Sequence, residues 1–500
     1  MNLRFLTTPF ALSDAYKLSH WRQYPKGTTA IYSNFTPRKS RRPGIDKFVF
    51  FGLQHFLTDL TEIFNEKFFN IDEDTAVNNF DAFIKKFFGA SNTDSNDRVR
   101  ALHQLGYLPI RIQALPEGSA VDHNIPPMTI TSTHDDFFWF SQWLETWMSA
   151  EIWKPCTSAT TAFYYRQIFN KYNRLTSDNA WLVDFQGHDF SFRGMSGCFD
   201  ACASGAGHLL SFKGTDTCAA VDWIESYYPV NTEMIGTSVP ATEHSVATAF
   251  LDEFTNDTEQ SDYDYIDNIL NLYPTGIVSV VCDTYDFWGL VTKILPKFKD
   301  RIMAREGKLV IRPDSSPKTP VEIIVGDKTA PLGTPENKGL VRCLYEIFGG
   351  TENSKGYIDL DPHIGAIYGD SITLEYCEEI LSGLMANGFS SDNIVLGIGS
   401  FTYNYVTRDT HGIAIKCTAV RTGDHWRATF KDPKTDNSGK KSAKGFLQIV
   451  WEDNRYVLKQ NVSQEDAWDN SELKLVYLDG KFVSDLQTFD SVRENLKRFL

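Results

Sequence analysis

The texture of apolar and polar positions changes twice along the chain. Through the first 175 residues, aromatic side chains recur at helical spacing: Trp139, Phe140, Trp143, Leu144, Trp147 and Met148 fall on one stripe. Such a stripe predicts an amphipathic helix with its aromatic face in a core. Thr133 or Asp135 stands where a capping side chain would start it. From 176 to 404, short β-branched runs each end in polar residues. Ile277-Val278-Ser279-Val280-Val281-Cys282 ends at Asp283, and Leu309-Val310-Ile311 at Arg312-Pro313-Asp314. Residues 364–368 end at Gly369-Asp370, and Ile394-Val395-Leu396 at Gly397-Ile398-Gly399-Ser400. Leu182-Val183 precedes His188-Asp189-Phe190 in the same way. Runs that are apolar on both faces belong to parallel strands covered on both sides.

Helical stretches separate several of these runs. In 371–387, Leu374, Cys377, Ile380, Leu381 and Leu384 share a face, and Gly388 is a stop. That reading puts Gly369-Asp370-Ser371 at a helix N-terminus, where free N–H groups suit an anion. The last hundred residues change again. Residues 412–419 and 446–451 read as strands around a polar, Lys-rich stretch, 431–444. The pattern predicts an irregular parallel α/β barrel over 176–404. A second, β-rich domain is expected from both ends of the chain, an aromatic-rich α+β region 1–175 packing with 405–500. Active sites of parallel barrels collect at the C-terminal strand ends, and the polar residues sit there.

Composition narrows the chemistry. With 500 residues and 42% hydrophobic content the chain can bury large cores. Its net charge is −15, from 64 acidic and 49 basic residues, which argues against a nucleic-acid partner. The one dense basic run, Arg38, Lys39, Arg41 and Arg42, is either a solvated loop or a local phosphate clamp. Eight cysteines are scattered, and Cys198 and Cys202 have neither CxxC nor zinc-knuckle spacing. Reduced thiols in a cytoplasmic protein are the expectation. The start, MNLRFLTTPF, carries no signal-peptide stretch, and no run of about 18 apolar residues occurs, so no membrane span is expected.

Four segments hold the candidate chemistry: Gly187-His188-Asp189-Phe190-Ser191-Phe192-Arg193-Gly194, Phe212-Lys213-Gly214-Thr215-Asp216-Thr217, Ser238-Val239-Pro240-Ala241-Thr242-Glu243-His244-Ser245 and Ile311-Arg312-Pro313-Asp314-Ser315. There is no GxxxxGK[ST] loop, no kinase signature and no HExxH or paired CxxC. Carboxylates with arginines and no thiolates point to magnesium on a phosphorylated substrate.

These segments resemble the nicotinamide phosphoribosyltransferases, a branch of the type II phosphoribosyltransferases. Asp14-Ala15-Tyr16-Lys17, Tyr32-Ser33-Asn34-Phe35, Thr351-Glu352-Asn353-Ser354-Lys355-Gly356-Tyr357 and Phe430-Lys431-Asp432-Pro433 extend the resemblance over most of the chain. It implies transfer of phosphoribose from phosphoribosyl pyrophosphate (PRPP) to nicotinamide in NAD salvage, by a homodimer with shared active sites. Phe190 then stacks on one face of nicotinamide, and the partner subunit's Tyr16 on the other. Asp216 accepts a hydrogen bond from the carboxamide. Arg193 and Arg312 hold phosphate or stack on substrate, and Asp314 lies near the ribose hydroxyls. Gly369, Asp370, Gly399 and Ser400 cradle the 5′-phosphate. Arg38, Arg408, Lys416 and Lys431 gather around the phosphates. His244 accepts a phosphoryl group from ATP, a coupling co-substrate. Glu243, Asp283 and Asp286 orient it or hold Mg²⁺ on PRPP, the ion being carried by PRPP with Asp283 as the one protein group weighed for it.

The sequence departs from the family's animal members at Ser316, Ser371 and Ser400-Phe401-Thr402, which stand where those have glycines. Nicotinate phosphoribosyltransferase is the alternative enzyme, and a catalytically silent binding protein on the same fold the alternative class.

Overall fold

Val278, Val280, Val281, Leu309, Ile311, Ile364, Ala366, Ile394, Leu396 and Ile398 are all buried, and their strands pair side by side in parallel. The computed structural model describes residues 5–314, 318–369, 371–435 and 441–500. Six strands form this sheet: β1 (Gly187–Asp189), β2 (Gly214–Thr215), β3 (Thr275–Val281), β4 (Glu306–Arg312), β5 (Ile364–Tyr368) and β6 (Ile394–Ile398). Their order is β2-β1-β6-β5-β4-β3, and every neighbouring pair is parallel.

One segment bonds to both edges of the sheet. Thr237 N donates to Lys213 O (2.7 Å), and Thr237 O accepts from Thr215 N (2.9 Å) beside β2. Five residues on, Thr242 N donates to Ser279 O (3.0 Å), while Pro240 O accepts from Ser279 N (2.9 Å) of β3. The stretch Ser238-Val239-Pro240-Ala241 thus closes the curled sheet into an irregular barrel, as the alternation of runs predicts. Closure by isolated bridges satisfies edge groups that would otherwise be exposed.

Local readings needed three corrections. Leu182 and Val183 lie in helical turns (Ala180–Leu182 and Val183–Gln186), and the strand begins only at Gly187. The helix after β5 runs Leu374–Ala386 and is capped by Thr373, whose side chain accepts from Tyr376 N. Residues 369 and 371 therefore precede its N-terminus by several positions. The capping hydroxyl at Thr373 outcompetes the earlier start. Thr133 and Asp135 cap no long helix either. A 3₁₀ turn, Asp135–Phe137, with His134 as its cap, comes first. A short helix, Phe140–Trp143, and then the long helix α1, Glu145–Thr176, follow. The aromatic stripe itself is buried, as its spacing requires.

The described residues divide into two compact units. The barrel unit comprises Thr161–Asp222 and Thr232–Tyr405. The other runs to Thr160 and resumes over Trp223–Asn231 and Val406–Phe499. It contains a seven-stranded antiparallel sheet, ordered His425–Ala428, Ala414–Thr422, Thr28–Thr36, Met128–Ser132, Ile110–Ala114, Lys474–Leu478 and Lys481–Phe482. Three strands from the N-terminal part of the chain are flanked on each side by two from the C-terminal part, and Phe35, Ile112, Ile130, Ile415 and Tyr477 are buried in one core.

The Thr351-to-Tyr357 motif serves the barrel unit's scaffold. Lys355 Nζ donates to Arg174 O (2.9 Å) and to Ser177 O, and Asn353 Nδ2 to Thr176 O (2.8 Å). These are carbonyls at and just past the C-terminal end of α1, where a cation and extra donors are favourable. Lys355→Ala is expected to cost about 1 kcal/mol of stability, given the side chain's exposure. Urea unfolding, with kcat measured alongside, checks that stability falls while turnover per folded molecule holds.

Candidate active site

The ends of β1, β6 and β5 build an aromatic platform. Asp189, at the end of β1, is fully buried, and its Oδ1 accepts from Ser191 N (2.9 Å), turning the chain just after Phe190. Phe190 N donates to Ile398 O (3.1 Å) of β6. The ring then lies over main chain that carries no side chain. A Cβ on Gly397 would stand 2.5 Å from Phe190 Cδ2, and one on Gly369 would stand 3.2 Å from Asp314 Oδ1. Gly397 is therefore required by close approach rather than by backbone conformation.

β2 delivers a carboxylate beside this ring. Asp216 N donates to Asp189 O (2.9 Å), and Asp216 Oδ1 accepts from His188 Nε2 (2.9 Å) and from Ser238 Oγ. Burial alone would raise the Asp216 pKa. The hydrogen bonds from His188 and Ser238, with the charges of His188 and Arg312, outweigh burial and hold it below the ordinary carboxylate value. Asp216 is thus an anion at neutral pH. The hydrogen bonds to its side chain come from a histidine and a serine, both on Oδ1, rather than from a helix N-terminus.

The opposite wall gathers the remaining polar groups. His244 begins a short helix, His244–Thr248. Its Nδ1 lies 3.0 Å from Thr284 Oγ1, and its Nε2 lies 3.7 Å from Asp283 Oδ1 and 4.0 Å from Asp314 Oδ2. Asp314 N donates to Asp283 Oδ2 (2.8 Å), locking the β4 end to the β3 end. The Arg312 guanidinium donates to Thr242 O, while its Nε is buried without a protein hydrogen-bond acceptor. Asp286 caps the next helical turn through Gly289 N (2.9 Å) and so organises the loop carrying Asp283.

These walls enclose a cavity of about 740 Å³. It is lined by Phe190, Arg193, Asp216, Glu243, Arg312, Asp314, Gly369, Gly399 and Ser400, all given site roles from sequence, by Phe192, Gly194, Ala241 and Thr242, which lie in the candidate segments without a role, and by Ser371 and Phe401, noted there as departures. Ser400 packs so tightly on Gly194 that a Cβ there would meet its hydroxyl at 2.1 Å. Ser371 has φ 51°, a left-handed conformation that favours glycine. Asp370 and Ser316 lie outside the described residues. His188 and Ser238, which lie in the candidate segments but were given no role there, are the side chains bonded to Asp216. The two-residue period of a strand puts His188 and Phe190 on one side of β1, a signal already present in the sequence.

The other anticipated residues belong to the second unit, where they converge. Lys416 is held below the ordinary lysine pKa by burial and by the nearby charges of Arg38, Lys431 and Arg408, with Glu145 acting oppositely. Arg38 is tied down by donating Nε–H to Gly412 O (2.7 Å). Tyr16 projects from a 3₁₀ segment, Ala15–Arg22, is 59% exposed, and lies in the field of Arg408. Four cations from distant stretches are thus concentrated in an acidic chain, a focused field suited to polyanions.

Among the described residues, no three His, Cys, Asp or Glu side chains converge at metal-ligand spacing. Asp283 and Asp314 offer a hard-oxygen pair, which suits an Mg²⁺ ion arriving with most of its ligands supplied by a diphosphate.

A closed parallel barrel with arginines, carboxylates and an aromatic platform at its strand ends is the architecture of an enzyme that binds a flat base beside an anionic co-substrate. The chain belongs to the nicotinate phosphoribosyltransferase (NAPRTase) family, whose profile matches residues 185–487. The profile of the nicotinamide phosphoribosyltransferase N-terminal domain matches residues 10–112. Among relatives, the nicotinamide phosphoribosyltransferase of Acinetobacter baylyi is 44% identical, covering 100% of this chain and 99% of its own. That of Xanthomonas campestris is 35% identical, over 90% of this chain and 88% of its own. Solved structures share the fold: nicotinate-nucleotide pyrophosphorylase from Pyrococcus furiosus (TM-score 0.58, 12% identity, 100% of this chain and 97% of that one) and human nicotinic acid phosphoribosyltransferase (TM-score 0.54, 14% identity, 98% and 93%).

Proposed function

We propose that this chain is a nicotinamide phosphoribosyltransferase, making nicotinamide mononucleotide and pyrophosphate from nicotinamide and PRPP. The observation that carries the choice of base is the anionic Asp216 beside the Phe190 ring. A carboxylate accepts a hydrogen bond from a carboxamide N–H, and repels the carboxylate of nicotinate. A site built around such a bond discriminates by up to about 10⁴–10⁵, because the wrong ligand leaves buried groups unpaired. The full-length likeness to relatives bearing this name supports the same reading.

In the reaction the pyridine nitrogen attacks ribosyl C1 as the C1–oxygen bond to pyrophosphate breaks. The nitrogen brings its own electron pair, so no strong base is needed. Phe190 and Asp216 fix the base's plane and rotation, which is mostly a positional contribution. Arg312 and Arg193 neutralise charge on the leaving diphosphate. Asp314 serves the ribose hydroxyls, and Gly369, Asp370, Gly399 and Ser400 the 5′-phosphate, as the family resemblance implies. Asp283 is the protein group that would help hold an Mg²⁺ carried by PRPP, which would supply further charge neutralisation.

The working unit is a homodimer. Phe190 presents one ring face within the barrel unit, and the partner subunit's Tyr16 covers the other side of the base. The cluster of Arg38, Arg408, Lys416 and Lys431 supplies phosphate-binding charge to the shared site. ATP coupling is optional and runs through a phosphohistidine at His244, with Glu243, Asp283 and Asp286 supporting that imidazole. A cytoplasmic location fits eight free cysteines and described helices too short or too polar to cross a membrane.

Purified protein given PRPP, Mg²⁺ and either nicotinamide or nicotinate should form mononucleotide far faster from nicotinamide. Preference for nicotinate would replace this reading with nicotinate phosphoribosyltransferase. Turnover of neither base, with binding retained, would indicate a silent member of the fold.

A further inference from the structure

His188 and His208 lie on neighbouring elements of the barrel unit, yet their surroundings differ in a telling way. His208 is a scaffold histidine. Its Nε2 donates to Gly214 O (3.0 Å) and its Nδ1 accepts from the Tyr403 hydroxyl (2.6 Å). Burial depresses its pKa to about 4, so it stays neutral. His188 is almost as buried, with its side chain 11% exposed. Its hydrogen bond runs instead to a half-exposed side chain lining the cavity, that of Asp216. A carboxylate only accepts, so Nε2 carries the proton and the ring's orientation is set by that bond.

Room for this imidazole is built into the strand pair. His188 stands opposite Gly214 in the β1–β2 register, and a Cβ on Gly214 would lie 2.8 Å from His188 Nδ1. The same imidazole lies 4.5 Å, centroid to centroid, from the Phe190 ring. One side chain therefore touches both features that would recognise the base. Ser238, from the barrel-closing segment, donates to the same Asp216 oxygen, Oδ1. With two donors on Oδ1, the carboxylate cannot rotate freely, and Oδ2 is fixed as the oxygen a ligand meets.

We propose that His188 is a positioning residue for base selectivity, acting through Asp216, with Ser238 as its second anchor. This rests on Asp216 being the group that separates nicotinamide from nicotinate. The imidazole donates its Nε2 proton to Oδ1, keeps the carboxylate charged and aims Oδ2 along the edge of the Phe190 platform. It touches neither the ribosyl carbon nor the leaving group, so its loss should appear in KM and selectivity rather than in kcat.

The test uses full-length His188→Leu, which removes the donor, and His188→Gln, which restores an N–H donor without a ring. Steady-state kcat and KM are measured with nicotinamide and nicotinate at saturating PRPP. His188→Leu should raise KM for nicotinamide about tenfold or more, with kcat within about threefold. It should shrink the nicotinamide-over-nicotinate ratio of kcat/KM about tenfold, and His188→Gln should return both to within about threefold of wild type. An unchanged ratio in His188→Leu overturns the proposal. So does a glutamine variant as damaged as the leucine one, since packing rather than the donor would then matter. If His188→Leu does not fold, Ser238→Ala reads the same oxygen from an exposed position. There a ratio lowered about threefold or more supports the proposal, and an unchanged ratio overturns it. A wild-type enzyme without preference for nicotinamide removes the functional reading beneath. A wild-type preference that survives in these variants removes only the role of His188.

Discussion

Asp216→Ser is expected to lower kcat/KM for nicotinamide by about 10²–10³ and to bring the two bases close to parity. The estimate follows from losing a charge-assisted hydrogen bond in a desolvated site, about 3–4 kcal/mol, together with the repulsion that excludes a carboxylate ligand. Serine keeps a polar group but no charge. It also leaves the His188 and Ser238 donors without their shared acceptor, so part of the loss is a penalty on them. Because Asp216 is half exposed, the fold should survive, and a melting curve near wild type is part of the expected result. Competition between labelled nicotinamide and nicotinate for one enzyme sample measures the ratio directly. Selectivity unchanged in Asp216→Ser would remove the amide-recognition argument and leave the choice of base without a structural cause.

His244→Ala should abolish ATP-driven stimulation completely while ATP-independent transfer continues. The imidazole is 42% exposed, and the two carboxylates within 4.0 Å of Nε2 would stabilise the positive charge built on the ring if its nitrogen attacks phosphorus as proposed. Thr284 at Nδ1 fixes the ring plane. The imidazole itself is not needed for a pyridine nitrogen to attack ribosyl C1, which is why the two activities should separate in the alanine variant. Mononucleotide formed with and without ATP, and ADP released per mononucleotide, report the coupling. ATP stimulation that persists in the alanine variant would assign the phosphoryl acceptor elsewhere.

Much of this site was legible because parallel barrels place their polar residues at strand ends. Asp283, Arg312, Asp314, Gly369 and Gly399 could each be located by finding where an apolar run stopped. The strand order was not legible, since hydrogen bonding between distant runs leaves no local mark. The shortest strand of the parallel sheet, Gly214–Thr215, was invisible as a strand because two residues show no period. The closing role of Ser238-Val239-Pro240-Ala241 was hidden for a related reason. It pairs through isolated bridges, and its proline and serine do not read as a strand. The hydroxyl of Thr373 shifted a helix start that apolar spacing alone put earlier. The Thr351-to-Tyr357 motif was recognisable as a family mark, while its work at the carbonyl end of α1 depends on a tertiary contact.

The glycines beneath Phe190 have a consequence for how such a pocket changes over evolutionary time. Its shape is written by missing side chains at 369 and 397, and its preference by the charged and polar ones that face the ligand. The two can drift independently. A descendant that kept the bare floor could exchange Asp216 for a neutral or cationic group and accept another flat heterocycle without moving a strand. A methyl group at position 397, by contrast, would tilt the ring and spoil the pocket for every base alike. The residues with no side chain are the ones this geometry cannot exchange, and the reactive ones are where divergence can begin.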